Sequence, residues 1–102
     1  MRAIRIGPHD ISVIDAPNSI DEMQTATARK LEKIPLYDGA VMIVDSDALH
    51  DCKPYNNLAA LIARCGVYGD ALIAGDNGEQ ICDVPDKFLA LLDYPEFYFR
   101  DE

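Results

Sequence analysis

Asp45, Asp47, His50 and Asp51 are the closest approach in the chain to a metal or acid–base cluster. Hard cations take several oxygens at close range, and a loop following a strand could supply them. A calcium loop, however, needs a glycine at its sharp turn and a glutamate at its twelfth position. Counting from Asp45, the sixth residue is His50 and the twelfth is Asn56. A polar, solvated loop is the preferred account, and no metal or other cofactor is assigned.

Asn56-Asn57 has two readings. As structure, one asparagine caps a helix while the other bonds its own backbone. As a site, paired carboxamides beside Tyr55 would read a nucleobase or a peptide edge by donor–acceptor matching. The N-cap preference favours the first. The turns Gly66-Val-Tyr-Gly-Asp and Gly75-Asp-Asn-Gly match neither a dinucleotide fingerprint nor a P-loop, and GxSxG and HExxH are absent. A lone histidine in a turn, His9, reads as solvent-exposed. Cys52, Cys65 and Cys82 have wide spacing that specifies neither a disulfide framework nor a zinc site. No residue nominates itself for catalysis, so a non-enzymatic role is expected.

Charge is the most informative bulk property. Eighteen acids against nine bases give −9 over 102 residues. Residues 1–33 balance five acids with five bases; residues 34–102 hold thirteen acids and four bases, so the whole excess lies there. Such a field repels nucleic acid and membrane surfaces and attracts basic ones. The expected partner is a protein with a basic surface, with no direct contact to nucleic acid or membrane. The candidate face is Asp45, Asp47, Asp51, Asp70, Asp76, Glu79, Asp83 and Asp86, expected to converge into one surface. Plain solubility is the competing explanation. At 49% apolar residues the chain is globular, of a length for one domain over residues 1–102. Its apolar runs fall far short of the ~20 residues that span a bilayer. Met1–Ile6 leads straight into strand-like sequence without an apolar signal core, so a cytoplasmic location is expected.

The elements that must position these residues are organised around Lys53–Gly75. Pro54 stops the preceding segment, and an asparagine opens a helix with Leu58, Leu61, Ile62 and Cys65 as its apolar stripe. Gly66 is placed as its left-handed terminus, and Ala71–Ala74 reads as a buried strand. Upstream, Arg2–Ile6 and Ile11–Ala16 alternate as strands about the turn Gly7–Asp10. Ser19-Ile-Asp-Glu22 reads as a capping box opening a helix. That helix has Ile20, Met23, Thr27 and Leu31 buried and Arg29, Lys30 and Lys33 at its far end, complementing the dipole. Asp38-Gly39 is a tight turn between strands Ile34–Tyr37 and Ala40–Val44, with Val41–Val44 central. Downstream, Asn77-Gly78 turns Ala71–Gly75 back into Gln80–Cys82. Asp83 is expected to cap a last helix with Val84, Phe88, Leu91 and Leu92 inward, ended by Tyr94-Pro95. The aromatic tail Phe97–Phe99 follows, packed on the sheet or exposed as a partner patch. The fold class is α+β: a small antiparallel or mixed sheet of four to six strands packed with three helices.

This order resembles the small proteins of domain-of-unknown-function family 3846. The features that carry it are the N-terminal strand pair, the capped helix, the hairpin Ile34–Val44, the helix opening Pro54-Tyr-Asn56-Asn57, the strand Gly69–Gly75 and the leucine-rich Val84–Leu92. Asn57 stands where that family more often has a basic residue, and the family brings no catalytic residues to transfer. The resemblance implies a phage or mobile-element context, where small acidic proteins block host nucleic-acid machinery, as anti-CRISPR and anti-restriction inhibitors do. Three functions are weighed. The first is an acidic binding protein that occupies a basic nucleic-acid-binding groove. The second is a structural or regulatory module that self-associates, as a homodimer for example, through a sheet edge or the Phe97–Phe99 tail. The third is a small metal-dependent enzyme at Asp45, Asp47, His50 and Asp51.

Overall fold

The computed structural model describes residues 1–78 and 80–93. The chain forms β1 (Arg2–Ile6), β2 (Ile11–Asp15), α1 (Ile20–Thr27), β3 (Leu31–Pro35), β4 (Ala40–Asp45), α2 (Asn57–Ala63), β5 (Ala71–Asp76) and β6 (Ile81–Cys82), then a 3-10 helix, Asp86–Asp93. All strand pairs are antiparallel, in the order β2-β1-β5-β4-β3, with β6 also pairing β5. The α+β class is therefore realised as a six-stranded antiparallel sheet with three helices, two of them α.

Pairing follows from composition. β4 reads Ala-Val-Met-Ile-Val-Asp and β5 Ala-Leu-Ile-Ala-Gly-Asp, apolar on both faces, and they lie side by side in the sheet interior. The Asp38-Gly39 turn has φ of 57° and 75°, positive at both central positions as a type I′ hairpin requires. Gly75 has no room for a side chain: a Cβ would lie 2.3 Å from the Asp83 carbonyl oxygen. Glycine there lets β6 return closely against β5.

Each sheet face has its own core. Ile4, Ile6, Met42, Val44 and Ile73 pack against Leu58, Ala59 and Ala60 of α2 and against Val84 and Phe88. On the other face Ala3, Val41, Ile43 and Ala74 pack against Met23, the one buried residue of α1. Fully burying an isoleucine such as Ile4 or Ile73 contributes about 1.5–3 kcal/mol.

Several local expectations are corrected. The first helix keeps its Ser19 cap, which accepts the Glu22 N–H, but ends at Thr27 with Ala28 at φ 56°. Leu31 begins β3 instead of lying on the helix stripe, Thr27 is exposed, and no base occupies the last helical turn. Pairing five residues of β3 with β4 outweighs one more helical turn, so the strand is Leu31–Pro35 rather than Ile34–Tyr37. Of the expected α2 stripe, Leu58 is buried and Ile62 is half-buried against the same core. Ala59 and Ala60 fill the interior, Leu61 and Cys65 are exposed, and Arg64, not Gly66, takes the left-handed cap at φ 59°. Asp83 does not open the last helix: its carboxylate accepts the Arg2 backbone N–H at 2.7 Å, and the helix begins at Asp86 as 3-10. Glu79, Tyr94-Pro95 and the Phe97–Phe99 tail lie outside the described residues.

Candidate functional site

Strand register decides which acids meet. Val44 pairs with Ala71 and Ile6 with Ala71, so Asp45, Asp70 and the Gly7–Asp10 turn share one end of the sheet, here the loop end. Ala40 and Cys82 both pair with Gly75, which puts Asp38, Asp76 and Asp83 at the other, the turn end. Asp86 joins them through Arg2. The span of β5 from Asp70 to Asp76 separates the groups by about 20 Å at ~3.3 Å per residue. The acids singled out from the sequence therefore form two groups instead of one surface; Glu79 lies outside the described residues.

At the loop end Asp10, Asp45, Asp51 and Asp70 are tied to arginines, while Asp47 is exposed. Arg29 donates from Nε to Asp45 at 2.7 Å, and its Nη2 bonds Asp51. These hydrogen bonds, from Asp51 first and then Asp45, push the guanidinium pKa further up. Asp45 also accepts the Asp47 N–H at 2.8 Å, which folds the loop back on itself. Arg5 lies between Asp10 at 3.1 Å and Asp70 at 3.4 Å. Gly7 makes room for that pair: a Cβ would sit 2.4 Å from Asp10 Oδ1 and 3.0 Å from Arg5 Nη2. Two forked cations thus each hold two carboxylates.

At the turn end each cation meets one carboxylate. Arg2 reaches Asp86 at 2.7 Å, with the Asp86 side chain 88% exposed. Lys87 meets Asp38 at 2.9 Å, and Lys33 meets Asp76 only at 3.8 Å. Exposed single pairs of this kind are worth ~0–1 kcal/mol and are readily exchanged for another cation.

The three polar readers separate. Asn56 is fully buried and committed to the fold. Its Oδ1 accepts the Ala59 N–H at 3.1 Å, and Nδ2 donates to the carbonyls of Ile6 and Gly69, both at 2.8 Å. Its backbone N–H donates to Val67. Tyr55 and Asn57 are exposed, with Tyr55 edge-on to Tyr68 at 5.2 Å. Among the described residues no three His, Cys, Asp or Glu side chains gather as metal ligands. Asp45 and Asp51 are instead held by Arg29.

One feature of the α1 face has no counterpart in the sequence reading. A cleft of about 550 Å³ has an apolar floor that includes Ile14, Met23, Leu31, Ile43 and Leu72. Its size is ordinary for a ligand pocket. Arg5, Arg29 and Lys53 stand on its rim, but Asp15, Asp45 and Asp70 stand there too. Both arginines are engaged by carboxylates. Its lining comes from strands, a helix and loops distant in sequence, so no local motif announces it.

Among the described residues no helix is long and apolar enough to cross a membrane. No curated protein and no solved structure matches the chain. A family model does, over residues 1–96, in agreement with the resemblance carried by the capped helix, the hairpin Ile34–Val44, the helix opening at Pro54-Tyr-Asn56-Asn57 and the strand Gly69–Gly75. The chain belongs to the family described as Domain of unknown function (DUF3846).

Proposed function

We propose that this is a non-enzymatic binding protein whose turn-end carboxylates engage a basic protein surface. The observation that carries this reading is the contrast in pairing. Asp10, Asp45, Asp51 and Asp70 share the two guanidinium forks of Arg5 and Arg29, while among the described residues Asp38, Asp76 and Asp86 each meet one exposed cation, Lys87, Lys33 or Arg2. With a net charge of −9, long-range attraction draws a cationic surface in, and exchange of weak internal pairs for intermolecular ones costs little. A basic groove that normally holds a phosphate backbone has the complementary charge. On this reading the protein acts as an inhibitor of nucleic-acid machinery, of the anti-CRISPR or anti-restriction type, in the cytoplasm of a cell carrying a phage or other mobile element.

Affinity capture from a bacterial lysate at low and high salt tests it. Wild-type chain is expected to retain a nucleic-acid-binding protein at low salt, to release it at high salt, and to lose it to competing duplex DNA. The combined variant Asp76→Asn, Glu79→Gln, Asp83→Asn, Asp86→Asn is expected to retain none. Equal capture by that variant, or indifference to DNA, contradicts the proposal.

A further inference from the structure

The two outer strands of the sheet are finished differently. In β3 the ladder bonds Ser46 N–H to Lys30 O and Leu36 N–H to Ala40 O fix the even-numbered residues as inward-bonding. Leu31, Lys33 and Pro35 therefore turn their backbone groups to the open side. The Leu31 N–H is taken by Gln24 Oε1 at 2.9 Å, and Pro35 has no N–H. Lys33 alone keeps a donor there, flanked by Glu32. This edge is closed by the devices that stop strand addition: a proline, charges and a side-chain cap.

Among the described residues, β2 has no proline and no side-chain cap on its outward groups, and its one charge, Asp15, stands at its end. The bonds Ala16 N–H to Met1 O and Gly7 N–H to Asp10 O set its register, so Ser12 and Ile14 bond inward to β1. Ile11, Val13 and Asp15 direct N–H and C=O outward. Residues 11–14 are uncharged and contain no proline, and Val13 is 41% exposed. In so acidic a chain these four residues are an uncharged stretch of edge, flanked by Asp10 and Asp15.

We propose that β2 pairs with β2 of a second copy, antiparallel about a two-fold axis at Val13, joining two sheets into one. This surface is distinct from the acidic turn end and does not rest on that reading. The sequence is self-complementary in this register. Val13 faces Val13, Ser12 faces Ile14 and Ile11 faces Asp15, so no like charges are opposed. The outward groups then exchange about six hydrogen bonds across the axis. A self-complementary strand selects a copy of itself, because the two-fold satisfies both edges at once.

Sedimentation and amide exchange across concentrations from about 1 μM to about 1 mM test this. The mass is expected to rise from one chain to two, with exchange slowing at Ile11, Val13 and Asp15 and unchanged at Lys33. Val13→Pro removes an outward donor without touching the β1 ladder, and Val13→Lys sets two ammonium groups face to face. Each variant, with its folded circular dichroism retained, is expected to weaken the dimer more than about tenfold. A single-chain mass throughout, a dimer unaffected by both substitutions, or slowed exchange confined to other segments overturns the proposal.

Discussion

The loop end and the turn end of the sheet carry similar acids in different employment. At the loop end Arg5 and Arg29 each clasp two carboxylates, and the buried Asn56 amide joins Ile6, Gly69 and α2 close by. At the turn end lysines and Arg2 each reach a single carboxylate, from the half-buried Asp76 to the well-exposed Asp86. The lesson is that an aspartate's role depends on the cation facing it and the water around it. A guanidinium holding two oxygens organises a loop, whereas a flexible ammonium leaves its partner available.

The largest expected effect breaks the loop end at its centre. Asn56→Ala removes a cap and leaves the Ala59 N–H and the carbonyls of Ile6 and Gly69 without this partner, for a loss of about 3–5 kcal/mol in urea unfolding. Asn56→Asp retains the cap acceptor but turns an oxygen on both carbonyls, so it is expected to be comparably damaging. Survival of Asn56→Ala at near wild-type stability would place the anchor elsewhere.

Gly75→Ala attacks the turn end through the backbone. The new Cβ meets the Asp83 carbonyl, so β6 must move, at a cost of about 1–3 kcal/mol. The Arg2 N–H to Asp83 bond is expected to loosen with it, read as faster amide exchange at Arg2. Unchanged exchange there would show that β6 does not position Asp83.

Cation removal sharpens the comparison further. Arg29→Met frees Asp45 and Asp51 together and is expected to lower the unfolding midpoint. Lys87→Met, which frees only Asp38, is expected to change stability by less than about 0.5 kcal/mol. Equal responses would erase the distinction between the ends.

Much of the fold was legible because its signals are local. Alternation marked β1 and β2, Asp-Gly marked the β3–β4 hairpin, and Ser19 and Asn56 announced their caps. Leu31 misled because it continues the spacing of Met23 and Thr27, while the competing strand pairing to Asp45 is non-local. Cys65 misled in the same way, since α2 ends two residues earlier, at Ala63. The charge excess was plain, but whether acids converge depends on which strand ends coincide and which arginines reach across. Asp45 and Asp51 meet Arg29 across separations of 16 and 22 residues, beyond any local pattern. The cleft and the outward-facing groups of β2 are likewise products of register.

Salt titration of the partner proposed for the turn end tests the division between the ends most directly. Wild type and the combined variant Asp45→Asn, Asp47→Asn, Asp51→Asn, Asp70→Asn are expected to share a steep fall of affinity with salt. Neutralising Asp76, Glu79, Asp83 and Asp86 is expected to abolish binding at low salt or flatten that dependence. Loss of the steep slope on neutralising the loop end, with the turn-end variant unaffected, would contradict the account.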